Sequence, residues 1–187
     1  MKSKRSISSL IAATVLLSLA SVLAQAQSRY NDTPKFEIGG QFVVTRLSDI
    51  LDDTNVGAGG RLTYNFTQNI ALEGELNYFP QDLTLVGATS SYQGLFGLKT
   101  GIRSERAGIF GKIRPGFTRF DRITPTPTAT QFTLDLGGVL ELYPSRHTLV
   151  RFDIGDAMIN YTTDLVPAAL TGTSHNLQFG IGFGFRF

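Results

Sequence analysis

The chain has 187 residues, enough for one domain, and no cysteine, so it has neither a disulfide framework nor a thiolate metal site. Charged residues make up only 17%, glycine is plentiful at twenty, and Phe and Tyr number fourteen and six. The formal net charge of +2 is misleading, because its excess lies in the first few residues and leaves no basic surface for nucleic acid.

Residues 1–26 read as a secretory leader. Lys2, Lys4 and Arg5 make the basic start, Ile7 to Leu23 the apolar, serine-dotted core, and Ala24-Gln25-Ala26 an A-x-A cleavage site. A retained transmembrane helix is the competing reading, disfavoured by the short core and its small-residue end. Export by the Sec route with cleavage after Ala26 removes three positive charges and no acid, turning +2 into −1. The expected organisation is a signal peptide over 1–26, a short polar periplasmic segment over 27–34 and one domain over 35–187. With no second long apolar run, secreted, periplasmic and β-barrel fates remain.

From Lys35 to Leu47 the sequence alternates, with Phe36, Ile38, Gly40, Phe42 and Val44 on one face and Glu37, Gly39, Gln41 and Thr45 on the other. An acidic link, Ser48 to Asn55, leads to a second strand with Val56, Ala58, Gly60, Leu62, Tyr64 and Phe66 opposite Gly57, Gly59, Arg61, Thr63 and Asn65. Thr67-Gln68-Asn69 turns the chain into a third, where Ile70, Leu72, Gly74, Leu76 and Tyr78 alternate with Ala71, Glu73, Glu75 and Asn77. Gln81 to Ser91 is a longer link, and its Leu83, Leu85 and Val86 suggest that the neighbouring strands extend into it. Strand four sets Tyr92, Gly94, Phe96, Leu98 and Ile102 against Gln93, Gly97, Lys99, Gly101 and Arg103, and Ser104-Glu105-Arg106 turns it back.

Strand five sets Ala107, Ile109, Gly111, Ile113, Pro115 and Phe117 against Phe110, Lys112, Arg114 and Thr118. Pro115 cannot donate to the ladder, so a bulge or the fraying end of pairing is expected there. Asp121 to Thr130, with TPTPT inside, reads as a stiff loop. Strand six alternates Phe132, Leu134, Leu136, Gly138, Leu140 and Leu142 with Thr133, Asp135, Gly137, Val139 and Glu141, and Pro144 to His147 turns the chain. Strand seven carries Val150, Phe152 and Ile154 opposite Arg151, Asp153 and Gly155, and its pattern fades after Asp156. After a loop from Tyr161 to Thr173, the stretch from His175 to Phe187 alternates strictly, with Leu177, Phe179, Ile181, Phe183, Phe185 and Phe187 against Asn176, Gln178, Gly180, Gly182, Gly184 and Arg186.

Eight strands of roughly 10–13 residues are long enough to cross a hydrocarbon layer at a tilt. Connectors that alternate long and short are the signature of bacterial barrels, with short periplasmic turns and longer outer loops. The predicted fold is therefore an all-β, eight-stranded, antiparallel up-and-down transmembrane barrel with both ends periplasmic. No helix-period segment and no solenoid repeat appears. A soluble lipocalin-like barrel also alternates, but its apolar side faces inward around a ligand. Against it stand the glycines and compact charges of the polar face and the absence of tryptophan. Aromatics near strand ends (Tyr64, Phe66, Tyr78, Phe79, Tyr92, Tyr143, Phe185, Phe187) also fit interfacial girdles.

The inward charges are then Glu37, Arg61, Glu73, Glu75, Lys99, Arg103, Lys112, Arg114, Asp135, Glu141, Arg151, Asp153 and Arg186, seven basic and six acidic. Charges in a narrow, partly dry space must pair or take up water, so the near balance reads as a salt-bridge network closing the bore. A charged path for ions or solutes is the alternative.

With leader, strands, turns and the terminal FGIGFGFRF in place, the chain resembles the small outer-membrane β-barrels of the OmpA transmembrane-domain and OmpX kind, over essentially all of residues 35–187. The resemblance implies an outer-membrane location and a last strand read by the barrel-assembly machinery through Phe179, Ile181, Phe183, Phe185 and Phe187. It also implies contact with outer-membrane lipid and lipopolysaccharide. Relatives include tethers, adhesion or immune-evasion proteins and a few lipid-modifying enzymes, and the sequence ends at Phe187 without the peptidoglycan-binding domain of the tethered type.

Catalysis in this fold class uses His, Ser and an acid at the outer rim. His147 falls in a periplasmic turn, and His175 and Ser174, adjacent on a strand, face opposite ways. Asp49, Asp52 and Asp53 offer hard oxygen ligands for a divalent cation, but no glycine-punctuated calcium loop surrounds them and a solvated acidic loop is the simpler reading. The expectation is a monomeric, non-enzymatic barrel with no cofactor and no nucleic-acid partner. It stabilises the envelope or displays loops for surface contact, with a narrow passive pore as the alternative and an outer-leaflet lipid-modifying enzyme as a remote third.

Overall fold

A computed structural model describes residues 33–47, 53–80, 88–122, 128–163 and 171–187; the leader, Asp49, Asp52 and most of TPTPT lie outside these. Period-two runs rich in aromatic and β-branched residues form eight strands: β1 (Phe36–Leu47), β2 (Asp53–Asn65), β3 (Ile70–Phe79), β4 (Ala88–Arg103), β5 (Ala107–Arg122), β6 (Ala129–Leu142), β7 (Thr148–Tyr161) and β8 (Gly172–Arg186). Each is antiparallel to its chain neighbours. β1 also pairs with β8, from Glu37↔Arg186 to Leu47↔Asn176, so the sheet closes and leaves no edge.

The faces separate by polarity. Phe42 is 67% exposed, Ile109 59% and Phe132 57%, whereas Glu73, Arg114 and Asp135 are fully buried. Greasy side chains outside and ionic ones inside are the arrangement of a barrel in lipid, and the lipocalin alternative is thereby excluded. At one end lie the ends of β1 and β8 with the turns 66–69, 104–106 and 143–147; at the other lie the links 48–52, 80–87, 123–128 and 162–171. The link 48–52 is no longer than the turn 143–147, so the length asymmetry rests on the other three.

The strands run further toward the outer end than the sequence pattern indicates. β2 begins at Asp53, not Val56; β5 reaches Arg122 and β6 begins at Ala129, inside the expected loop; β4 begins at Ala88, inside the link that the neighbouring strands are expected to enter. The cause is a reversal of polarity beyond the lipid belt. Thr89, Arg119, Thr130, Asn160 and Thr173 stand outward there, while Leu47, Ala88, Phe120, Ala129, Ile159 and Tyr161 form a buried apolar cluster inside. The pattern of β7 fades in the sequence only because its face rule inverts: Ala157, Ile159 and Tyr161 are buried, and Asp156, Met158 and Asn160 alternate with them.

No bulge forms at Pro115. It pairs with Leu134 on β6, and the ladder to β4 lapses only between Leu95↔Gly116 and Leu98↔Ile113, resuming in the same register. The missing N–H costs hydrogen bonds on one side without displacing the strand. The register shift in this pair lies instead between Ala88 and Ser90. Beside the gap the two strands approach closely: a Cβ on Gly116 would stand 1.9 Å from the Gly94 carbonyl oxygen. Gly116→Ala is expected to destabilise the refolded barrel by about 1–3 kcal/mol, read as a lower urea midpoint for loss of the heat-modifiable gel band. An unchanged midpoint would contradict this close approach.

Candidate functional site

Strict alternation brings one side chain in two from every strand into the lumen, and all thirteen charged residues of the inward face point there. Twelve are buried, and the Asp153 side chain is 11% exposed. They are stacked along the axis. At the end where β1 starts and β8 finishes, Arg103 Nη2 lies 3.1 Å from Glu37 Oε1 and 3.2 Å from Asn65 Oδ1. Arg186 Nε lies 3.4 Å from the same Glu37 oxygen, and its guanidinium sits 3.9 Å from the centre of the Tyr143 ring. The Tyr143 hydroxyl donates to Glu141 Oε2 at 2.7 Å and accepts from Arg103 Nε at 3.0 Å. Burial, with the Glu141 carboxylate beside it, raises the Tyr143 hydroxyl above the ordinary phenol range and keeps its proton in place for that bond.

One level further in, Lys99 Nζ is 2.5 Å from Glu141 Oε1, 3.4 Å from Glu73 Oε2 and 3.7 Å from Glu37 Oε2. Arg151 grips both oxygens of Glu73, with Nη2 at 3.0 Å from Oε1 and Nη1 on Oε2, while its Nε reaches Asp153 Oδ2 at 2.5 Å. Above them Arg114 binds Glu75 Oε2 at 2.5 Å and Asp135 Oδ2 at 2.8 Å, and Lys112 bridges Asp135, at 2.9 Å, and Asp153.

A belt of amides follows. Gln41 Nε2 donates to Asn77 Oδ1 (2.9 Å), Asn77 Nδ2 to Gln93 Oε1 (3.1 Å), and Gln93 Nε2 to Gln178 Oε1 (3.2 Å). In the strand order of the closed sheet β3 lies opposite β7 and β4 opposite β8. The Arg151–Glu73 and Gln93–Gln178 contacts therefore cross the full bore. These side chains meet in the middle of the bore, and the apolar cluster caps them above. Chemically these ion pairs brace the barrel from wall to wall.

Arg61 stands apart. It is inside and buried, yet among the described residues no carboxylate lies within 4.0 Å of it, and its one side-chain hydrogen bond is Nη1 to Gln41 Oε1 at 3.4 Å. Two aromatics assigned to the girdles are also misplaced by position along the strand. Tyr143 and Phe79 are buried in the lumen, Tyr143 among the arginines and Phe79 over Gly57. Parity was the signal that could have found them, since each shares its face with Glu141 and Asn77 respectively.

The model of the family "Outer membrane protein beta-barrel domain" matches residues 12–187. The chain belongs to that family. Outer membrane protein beta-barrel domains sit in the outer membrane of Gram-negative cells, so that is the location of this one. Among solved structures it is similar to neisserial surface protein A, NspA, with 8% identity and a TM-score of 0.60, over 84% of this chain and 100% of that one. It is similar to Ail, the attachment invasion locus protein of Yersinia pestis, with 13% identity and a TM-score of 0.58, over 83% and 100%. OprG of Pseudomonas aeruginosa gives 16% and 0.56, over 83% and 96%. At these identities what is shared is the fold. No curated protein matches the chain.

In this outer-membrane barrel the outer rim separates Ser174, buried in the lumen, from His175, exposed, as adjacent strand positions must. His175 Nδ1 instead meets Asp156 Oδ2 across the β7–β8 seam at 2.6 Å, a pair absent from the sequence reading because Asp156 lies where β7 loses its apolar face. His147 lies in the exposed turn at the opposite end. Phe179, Ile181, Phe183 and Phe185 form the outward face of β8, with Phe187 just beyond it, beside the seam with β1.

Proposed function

We propose that this barrel is a non-enzymatic element of the outer membrane that acts through its outer surface, stabilising the envelope or presenting its outer links for contact with other surfaces. The observation that carries the reading is the lumen: ion pairs such as Arg151 with Glu73 join opposite walls, so the interior braces the barrel and leaves the exterior to do the work. The names of the similar folds, an attachment protein and a surface protein, support the same direction.

Outside, Arg46, Arg119 and His175 stand on the polar collar above the apolar belt, where the phosphates of lipopolysaccharide lie in an outer leaflet. The aromatic outer face of β8 suits the role of assembly signal, and the closed sheet suits a monomer. Refolded protein in a planar bilayer is expected to show no reproducible single-channel steps at moderate voltage. Regular steps that persist across preparations would overturn this reading in favour of a narrow pore.

A further inference from the structure

Twelve of the thirteen lumen charges take part in ion pairs within 4.0 Å, and they comprise six cations and six anions. Arg61 is the seventh cation. It is 4% exposed, and its Nε and Nη2 are shut off from solvent with no hydrogen-bond partner among the described residues. Its cross-strand neighbours make no ion pair with it among the described residues. Gly39 on β1 has no side chain, and the position next to it on β8 is Gly184. Glu75, directly opposite on β3, is held elsewhere, by Arg114 at 2.5 Å and by Asn77 at 2.7 Å.

Nε and Nη2 are the two donors of one guanidinium edge, and their N–H bonds run side by side. That edge is the fork with which arginine recognises an anion. A buried cation without a partner is heavily penalised, and the fold keeps this one. We propose that the free edge of Arg61 holds a small monovalent anion of the chloride class inside the lumen, bringing the interior to seven charges of each sign. This site is independent of what the barrel does at its surface.

The test is urea unfolding of the refolded, detergent-solubilised protein in chloride against gluconate at matched ionic strength. Above the dissociation constant, each tenfold rise in chloride is expected to multiply the folded-to-unfolded ratio about tenfold in the wild type. Arg61→Gln is expected to lose that dependence. Gln41→Glu, which sets a carboxylate beside Arg61 in place of the amide oxygen at 3.4 Å, is expected to fold and to be insensitive to chloride. Bromide-soaked crystals should show an anomalous peak at the Nε–Nη2 edge. A wild type indifferent to chloride, or a Gln41→Glu variant with the full chloride dependence, overturns the site, and the latter holds even if Arg61→Gln does not fold. A bromide peak only elsewhere in the molecule does the same.

Discussion

Glu73→Gln is expected to lower the stability of the refolded barrel by about 3–5 kcal/mol, because it removes one charge that three buried cations share and leaves those partners buried. Glu73 is fully buried and accepts from both terminal nitrogens of Arg151. Lys99 lies 3.4 Å away, Arg114 3.5 Å, and the Thr63 hydroxyl donates to it at 3.3 Å. The glutamine keeps shape and one acceptor, so the loss reports charge and not a cavity. The measurement is urea unfolding in lipid vesicles. A companion variant separates net worth from unpaired burial: Glu73→Gln combined with Arg151→Met should be less destabilised than the sum of its single changes, because a buried pair replaced whole leaves no orphan charge. A loss under about 1 kcal/mol for Glu73→Gln, the value of an exposed pair, would mean that the lumen is wet and the struts are not dry.

Much of this fold is written in the parity of its residues, and the reasons for the exceptions are physical. Inside the lipid belt the bilayer enforces the face of each residue, so Phe36, Ile38 and Phe42 against Glu37 and Gln41 read directly as outside and inside. Beyond the belt nothing enforces apolar exteriors, and Asp53, Asp121 and Asp156, which look like loop or strand-end residues, belong to continuing strands. The inward charges could be enumerated from alternation, but their partners could not. Arg151 meets Glu73 across the bore because closure and stagger bring β7 opposite β3, which no local window contains. Tyr143 and Phe79 depart from the girdle for the reverse reason: both lie near a strand end, but parity puts both inside. The surplus of one cation was visible as a count of seven against six, and only the geometry identifies Arg61 as its bearer.

Phe183→Arg is expected to weaken insertion by about 2–4 kcal/mol, the cost of an arginine on the lipid face near the bilayer midplane. Phe183 lies on the outward face of β8, half exposed, with Leu177, Phe179 and Ile181 above it and Phe185 and Phe187 below. Its cross-strand neighbours are Gly40 on β1 and Val150 on β7, and neither supplies a polar partner for a guanidinium. Phe185 packs edge-on at 5.4 Å, so part of the loss is that contact. The decisive comparison is with Thr173→Arg, outward on the same strand but in the polar collar, where the cost falls to about 0–1 kcal/mol. Because Phe183 also belongs to the expected assembly signal, the measurement is made without the assembly machinery, by urea titration of protein refolded into vesicles of uniform thickness. Equal losses at the two positions would contradict the depth assigned to them. Wild-type insertion of Phe183→Arg would contradict the outward facing of β8, and with it the division of labour in which lipid meets phenylalanine while arginine and glutamate meet each other.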